Sequence, residues 1–512
     1  MRKYLLGSLI FLILCLFIVF LNNYPTYHAS QKVPSGYVYS GHAAWFDPWD
    51  LNVYLSSIKY GQKHGLLLKN LYTTNDNKPI IMYPIYTLVG SLFPKNDIFQ
   101  LYYTLRYVTI LLVVISILYS SFIFLKDIRL SLATIFLITL SRGYGWVLIN
   151  QLQSPDLFMT GFSFRSTFQR PHEAIGMSFY ILAFTFLYSY LITDRHKYYF
   201  LFLLFSVFQI FFYPYYYVNY LLTFIFFIVY RKKTINKIVP LIISISLLGI
   251  LSLVYFIAIK DSGFSSDLAE QHPLITPIGL LSGYGMYIII FIYQLLNLKH
   301  NKANSPLVFT IIWMLISLTL SYIPLGFNRF FLRGLYFPLT IIALITLQYL
   351  VRQKKITILL LSFFIGLYLF TTIPSTIYIF YKRVNEANLT NNINGWYFLP
   401  KDYSEAFQFL DKLPNDGILS DYWVGNHIPV YTNKSVYLGH LIQTPNAQER
   451  KKQIQNLFAN KYNPKTAKDL LVKNNIHYIF YGIQEKQYGK TNYDFLRPIF
   501  TNDKVTIFQV VY

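Results

Sequence analysis

Apolar residues in this chain fall in long blocks, separated by short basic connectors or by much longer polar stretches. A helix needs about 20 apolar residues to cross a bilayer core of about 30 Å. Runs of that order recur at Tyr4–Leu21, Leu101–Leu125, Leu130–Ile149, Ala174–Ile192, Tyr198–Phe212, Tyr215–Tyr230, Ile238–Ile259, Ile278–Leu296, Leu307–Ile323, Leu335–Leu350 and Ile356–Ile373. They predict about eleven transmembrane helices. The stretch over 198–230 is too long for one helix. Pro214, within Tyr213-Pro214-Tyr215-Tyr216-Tyr217, predicts a tight aromatic turn that splits it in two.

Beyond about Lys382 the pattern changes. Strand-like runs at Gly417–Ser420, Ser435–Leu438, His477–Tyr481 and Val505–Val511 alternate with helix-like segments at Ser404–Leu413, Asn446–Ala459 and Pro464–Asn474. Such alternation predicts a small α/β domain over 382–512, following a transmembrane domain over 1–381.

Charge orients these elements. The connectors Lys126–Arg129, Arg195–Lys197, Arg231–Lys237, Lys299–Lys302 and Arg352–Lys355 are short and basic, as cytoplasmic loops are. That leaves 23–100, 150–172, 260–277, 324–334 and the C-terminal domain outside, with the N-terminus inside. The first run, with Arg2 and Lys3 before it, is too long for a signal-peptide core and lacks a small-residue cleavage site. It reads as an uncleaved first span.

Composition agrees with lipid as solvent: the 512 residues are 54% hydrophobic and 13% charged, against about 25% charged in soluble domains. The formal charge of +22 sits in loops rather than on one face, which excludes a nucleic-acid partner. The only cysteine, Cys15, excludes an internal disulfide and a cysteine metal cluster. No P-loop, dinucleotide fingerprint, zinc motif or Ser-His-Asp spacing stands out.

Ionisable residues gather in three outer loops. The first carries Phe46-Asp47-Pro48-Trp49-Asp50 at the start of an amphipathic helix. Asp47 suits an N-cap before Pro48, and Asp50 and Tyr54 fall on one face. The second carries Pro155-Asp156-Leu157 and Arg170-Pro171-His172-Glu173. Arg170 with His172 suits phosphate or sugar binding, and Asp156 and Glu173 suit secondary carboxylates or metal ligands. Interfacial anchoring and plain ion pairing are the alternatives. The third carries Arg329 and Arg333, two cations on the outer side against the positive-inside trend, suited to a phosphate or to snorkelling among headgroups. The loop with Asp261, Asp267, Glu270 and His272 reads as a lid or a solvated segment. The turns at Gly425-Asn426-His427 and Gly439-His440 read as structural.

One span, a long outer loop opening on an Asp motif, some ten further spans and a terminal soluble domain resemble the GT-C glycosyltransferases. That superfamily includes oligosaccharyltransferases, protein O-mannosyltransferases and aminoarabinose transferases, and the overall style is similar to bacterial GT-C-like membrane proteins. Phe46-Asp47-Pro48-Trp49 resembles the first-loop aspartate motif of the oligosaccharyltransferases. Their Trp-Trp-Asp signature is absent, Asp421-Tyr422-Trp423 not matching it, so transfer of a whole oligosaccharide to asparagine is not implied.

The resemblance implies an inverting hexosyl or pentosyl transferase of the cell membrane. It would move sugar from a polyprenyl-phosphate donor to an envelope glycan, lipid or protein on the outer face. Asp50 or Asp47 would act as base, and Arg329, Arg333 and Arg170 would meet the phosphate, with His172, Glu173 and Tyr54 among the substrate contacts. A divalent metal, Mg or Mn, is compatible with this chemistry without being required. A lipid-linked glycan transporter or flippase, and a degenerate GT-C-like envelope protein, are the competing readings; the spans' scarcity of charge disfavours the transporter.

Overall fold

The computed structural model describes residues 2–511 apart from 45–46, 141, 148–153, 160, 232–237, 263–273, 298–303, 325–327, 354–356, 390 and 415–416. Phe46 of the first motif, Gly326 and Phe327 beside Arg329, and Asp267, Glu270 and His272 of the expected lid thus lie outside the described residues.

The apolar runs form helices. Among the described residues six are long and apolar enough to cross a membrane: Leu6–Gln31, Ile98–Leu125, Pro171–Thr193, Val239–Lys260, Asn328–Arg352 and Ser362–Glu386. By length and composition this is a multi-pass membrane protein. The run at Ile278–Leu296 is broken into Pro277–Tyr284 and Met286–Leu296, bent by 108°. Gly285 sits at the break with φ 56 and ψ −135, a backbone conformation that side chains disfavour. The remaining runs give shorter helices, at Ile128–Leu140, His196–Ile210, Tyr217–Arg231 and Ser305–Ser321. Pro214 opens a short 3-10 turn between His196–Ile210 and Tyr217–Arg231, as its fixed φ and missing N–H predict.

The chain divides into two compact units, neither continuous in sequence. One comprises Met1–Pro25, Thr104–Tyr255 and Ala269–Val384; the other comprises Thr26–Tyr103, Phe256–Leu268 and Asn385–Tyr512. The first has an apolar core in which Trp313 stacks on Phe184 at 4.0 Å and donates its indole N–H to Tyr180 at 2.7 Å.

The second unit holds all the strands among the described residues. β1 (Tyr37–Tyr39) pairs antiparallel with β2 (Phe398–Pro400). A four-stranded sheet has β3 (Ile418–Leu419) parallel to β4 (Tyr478–Tyr481), followed by β6 (Thr506–Val510) and β5 (Leu496–Thr501), both antiparallel to their neighbours. Helices Lys401–Asp411, Ala447–Phe458 and Pro464–Lys473 fall on the predicted segments. Ser435–Leu438 forms a single bridge, Val436 to Ile418, rather than a strand. The helix Tyr422–Thr432 and strand β5 have no counterpart in the sequence reading.

Within this unit the first long loop is stitched to the C-terminal segment. Val436 N donates to Leu71 O at 2.9 Å, Asn70 Nδ2 to Gln443 O at 2.8 Å, and Thr444 Oγ1 to Tyr72 O at 2.8 Å.

Candidate functional site

The helix Pro48–His64 begins as its sequence requires. Pro48 is its first residue and Asp50 lies in its first turn, where a carboxylate complements the N–H groups left free at a helix start. Asp47 stands before it at φ 40 and ψ 66, and its side chain makes no capping hydrogen bond. The capping role expected of Asp47 is therefore corrected: the left-handed backbone turns the carboxylate away from the geometry in which an N-cap accepts from the helix. A non-glycine residue held there is strained by about 1–3 kcal/mol, a feature that clusters at functional sites.

Asp50 meets His440. Its Oδ1 lies 2.6 Å from His440 Nε2, and the side chains are 18% and 4% exposed respectively. The carboxylate is thus the member of the pair that an incoming molecule can reach. The imidazole rests edge-on to Tyr72 at 5.9 Å, and its Nδ1 is buried without a hydrogen-bond partner. A carboxylate so held has a fixed direction. Tyr54, expected on the same helix face, is buried in a ring cluster, 5.0 Å from Tyr86 and 5.4 Å from Tyr83.

Two further groups in this unit are shifted by burial toward their neutral forms. His427 is fully buried between Trp396 and Trp423, with ring centroids at 5.6 and 4.9 Å. Burial, helped by nearby His42, pushes it down to about 3. Asn52 Nδ2 lies 3.3 Å from its Nδ1, suiting an amide donating to an unprotonated nitrogen. Glu485 is fully buried and accepts from the backbone N–H of Asp421 at 2.6 Å and of Gly482 at 3.0 Å, yet burial still pushes it up to about 7.

The cations around Arg170 and Arg329 belong to the other unit. Arg170 precedes helix Pro171–Thr193, with Pro171 first and Glu173 in the first turn. Arg170 Nη1 and Arg333 Nη2 each lie 3.3 Å from Glu173 Oε1, and all three side chains are buried. Phe330 gathers the arginines, with the guanidinium of Arg333 4.2 Å and that of Arg329 5.2 Å from its ring centroid; Arg333 also covers Tyr213 at 5.2 Å. Gly161, at φ +73, lets the backbone approach, since a Cβ there would stand 2.5 Å from Arg333 Nε. Arg333 is therefore no snorkelling residue but a packed one. The structure brings Arg170, Glu173, Arg329 and Arg333 together, while Asp47, Asp50 and Tyr54 lie in the other unit; His172 is buried beside Glu173 in sequence.

Asp156 is fully buried and accepts from Ser154 Oγ at 2.5 Å. Burial raises its pKa, against that bond and the charge of Arg142. Among the described residues no three His, Cys, Asp or Glu side chains gather as a metal would require. Asp50 meets the His440 imidazole, and Asp156 a serine and an arginine. These donors do not fit Mg or Mn, which take several oxygen ligands.

His440, read from the sequence as part of a structural turn, is the one that sequence reasoning did not join to Asp50. Its partner lies 390 positions away, and the turn Gly439-His440 carries no local mark of that pairing.

No protein-family model matches the chain, and a search of curated proteins gives no match. Solved structures do resemble it. The Archaeoglobus fulgidus oligosaccharyltransferase tethered to an acceptor peptide with an NVT sequon aligns with TM-score 0.55 and 13% identity, over 93% of this chain and 69% of that one. The same organism's oligosaccharyltransferase AglB, in complex with an inhibitory peptide and a dolichol-phosphate, aligns with TM-score 0.53 and 11% identity over the same shares. At such identity the likeness is one of fold alone, to the fold of these oligosaccharyltransferases.

Proposed function

We propose that this chain is a membrane glycosyltransferase that moves a sugar from a polyprenyl-phosphate donor to a cell-envelope acceptor on the outer face. The observation that carries the reading is the oligosaccharyltransferase architecture along 93% of the chain. One neighbour holds dolichol-phosphate and the other an acceptor peptide; a lipid-borne donor and a nucleophilic acceptor are assigned here on that analogy. The shorter apolar helices would complete eleven passes, with the N-terminus inside and the second unit's C-terminal segment outside.

Asp50 is assigned the base. It takes the proton of the acceptor hydroxyl as that oxygen bonds to the anomeric carbon; the bond from that carbon to the phosphate oxygen breaks, and the electron pair leaves with the polyprenyl phosphate. Direct displacement inverts the centre. His440 orients the carboxylate and spreads the charge of the acquired proton. Asp47, in its strained backbone, is the alternative base. Arg170, Arg329 and Arg333 are assigned to the departing phosphate, with Glu173 holding two of them in place.

The test is transfer of labelled sugar from polyprenyl-phosphate donors in proteoliposomes. Asp50→Asn is expected to lower the rate about 10²–10⁴-fold in a protein that still folds. Full activity in both Asp47→Asn and Asp50→Asn would overturn the mechanism. Absence of transfer from every donor would shift the reading to a glycan transporter.

A further inference from the structure

Three aromatic side chains of the second unit crowd the start of the helix that carries Asp50, and no role above uses them as a group. Trp49 precedes Asp50 in the first turn of Pro48–His64. Trp396 comes two residues before β2, in a segment that the β1–β2 pairing sets beside the chain leading to that helix. Its backbone is tied at both ends: the N–H donates to Asn394 Oδ1 at 2.9 Å, and the carbonyl accepts from Ser40 Oγ at 2.5 Å. Tyr422 opens helix Tyr422–Thr432.

The rings touch. The centroid of Trp396 lies 6.0 Å from that of Trp49 and 6.4 Å from that of Tyr422, at interplanar angles of 64° and 74°. Trp396 also packs at 5.6 Å against His427, which burial pushes toward its neutral form. Trp49, Trp396 and Tyr422 nevertheless stay half-buried, whereas Tyr54 and Tyr72 nearby are closed off.

Carboxylates stand at the rim. Burial first, then the charge of Asp50 and more weakly that of Asp47, raise the Tyr422 phenol, so both carboxylates are within electrostatic reach of its hydroxyl. Beside the rings, Asn426 Oδ1 and His427 Nε2 are buried without a hydrogen-bond partner. Asn426 Nδ2 donates to Tyr422 O at 2.9 Å, and His427 Nδ1 faces the amide of Asn52 at 3.3 Å. An acceptor and a donor thus stand unused next to the aromatic surface.

The chemistry of this patch narrows its ligand. A lipid chain would gain from the rings but would desolvate the carboxylates. An ammonium group must sit over ring faces, and rings in edge-to-face contact at these separations leave no gap for it between them. A pyranose needs neither a gap nor a charge. One side of it presents C–H groups, made slightly positive by the ring oxygens, which rest on the negative face of an aromatic ring. Its hydroxyls lie at the perimeter, where carboxylates accept them.

We propose that Trp396, with Trp49 and Tyr422, is a stacking platform for a pyranose ring of the acceptor, and that the acceptor is therefore a glycan. The assignment rests on the reading of Asp50 as base, because it is the stacked ring that brings a hydroxyl to that carboxylate.

Saturation-transfer NMR on the purified full-length protein in nanodiscs, with no donor present, tests the platform. The aromatic protons are irradiated, with empty discs as the blank. The probes are the methyl glycosides of glucose, galactose, mannose and N-acetylglucosamine, with tetramethylammonium and the tripeptide glycyl-seryl-glycine as competing chemistries. Saturation is expected in the C–H protons on one face of at least one glycoside. Binding should be at least about tenfold weaker in Trp396→Ala and partly restored in Trp396→Phe, which keeps a ring face. Should Trp396→Ala not fold, Trp49→Leu carries the same comparison. No saturation of any glycoside, saturation of the ammonium or the peptide alone, or equal saturation in the ring-deleted variant overturns the platform. Asp50→Asn is expected to keep glycoside binding while losing transfer. Full transfer in Asp50→Asn would overturn the base alone, whereas absence of glycoside binding with Asp50→Asn still inactive would overturn the platform alone.

Discussion

The two units bury ionisable groups in opposite ways. Around the first long loop and the C-terminal segment, the buried groups include a histidine pushed down to about 3 and a glutamate pushed up to about 7, while Asp50 finds His440. These side chains can shed charge or share a proton. Beside the carboxylates Asp156 and Glu173, the other unit buries several arginines, which cannot. They are held by carbonyls, by aromatic rings and by Glu173. The lesson is that a buried carboxylate or imidazole can adjust its protonation, whereas a buried guanidinium keeps its charge and must be compensated by the groups packed around it.

The strongest way to break that contrast is to remove the anion already present. Glu173→Ala strands Arg170 and Arg333, and should destabilise the protein by about 3–5 kcal/mol, read as a lower thermal unfolding midpoint in nanodiscs. A cost under about 1 kcal/mol would show that the arginines have other compensation. Next in size, Gly161→Ala puts a Cβ against Arg333 at a positive φ; about 1–3 kcal/mol is expected, by the same assay.

His440→Ala tests the other side. It leaves the Asp50 carboxylate without its partner, at about 1–3 kcal/mol. Transfer should fall by less than in Asp50→Asn, since the base itself remains; a larger fall would make His440 the base.

The smallest effects are in pH dependence. Glu485, near 7 in the folded state against its ordinary 4.5, keeps a proton that the unfolded chain has lost. Its contribution is full below 4.5 and lost as pH rises through 7. His427, near 3 against 6.5, refuses a proton that the unfolded chain takes; its contribution is full above 6.5 and lost as pH falls toward 3. The two oppose each other between 4.5 and 6.5. Unfolding midpoints from pH 4 to 8 should therefore fall less steeply on the alkaline side in Glu485→Gln, and less steeply on the acid side in His427→Gln. Unchanged profiles would show that neither group titrates with unfolding.

What the sequence disclosed follows from range. Apolar length made the helices legible, and Pro48 with Asp50, or Pro171 with Glu173, marked helix starts within four residues. Strand β5 was missed because Leu496–Thr501 carries Arg497 and Pro498 in an irregular edge. The Asp50–His440 pair was hidden for another reason. Each residue stands alone in its own segment, and only tertiary structure brings the segments together. Asp47 shows the converse: Asp followed by Pro is a sound capping signal, and a left-handed backbone overrode it.

The second unit is assembled from Thr26–Tyr103, Phe256–Leu268 and Asn385–Tyr512, which sets a timetable for its birth. At synthesis rates of about 5–20 residues per second, the first of these segments waits tens of seconds on its ribosome-bound chain before the last emerges. During that time Tyr37–Tyr39 has no strand to pair with and Asp50 no imidazole. A nascent protein halted anywhere before residue 440 thus carries Asp50 without its partner, and a stop codon far from that loop would remove the pair as surely as a change within it.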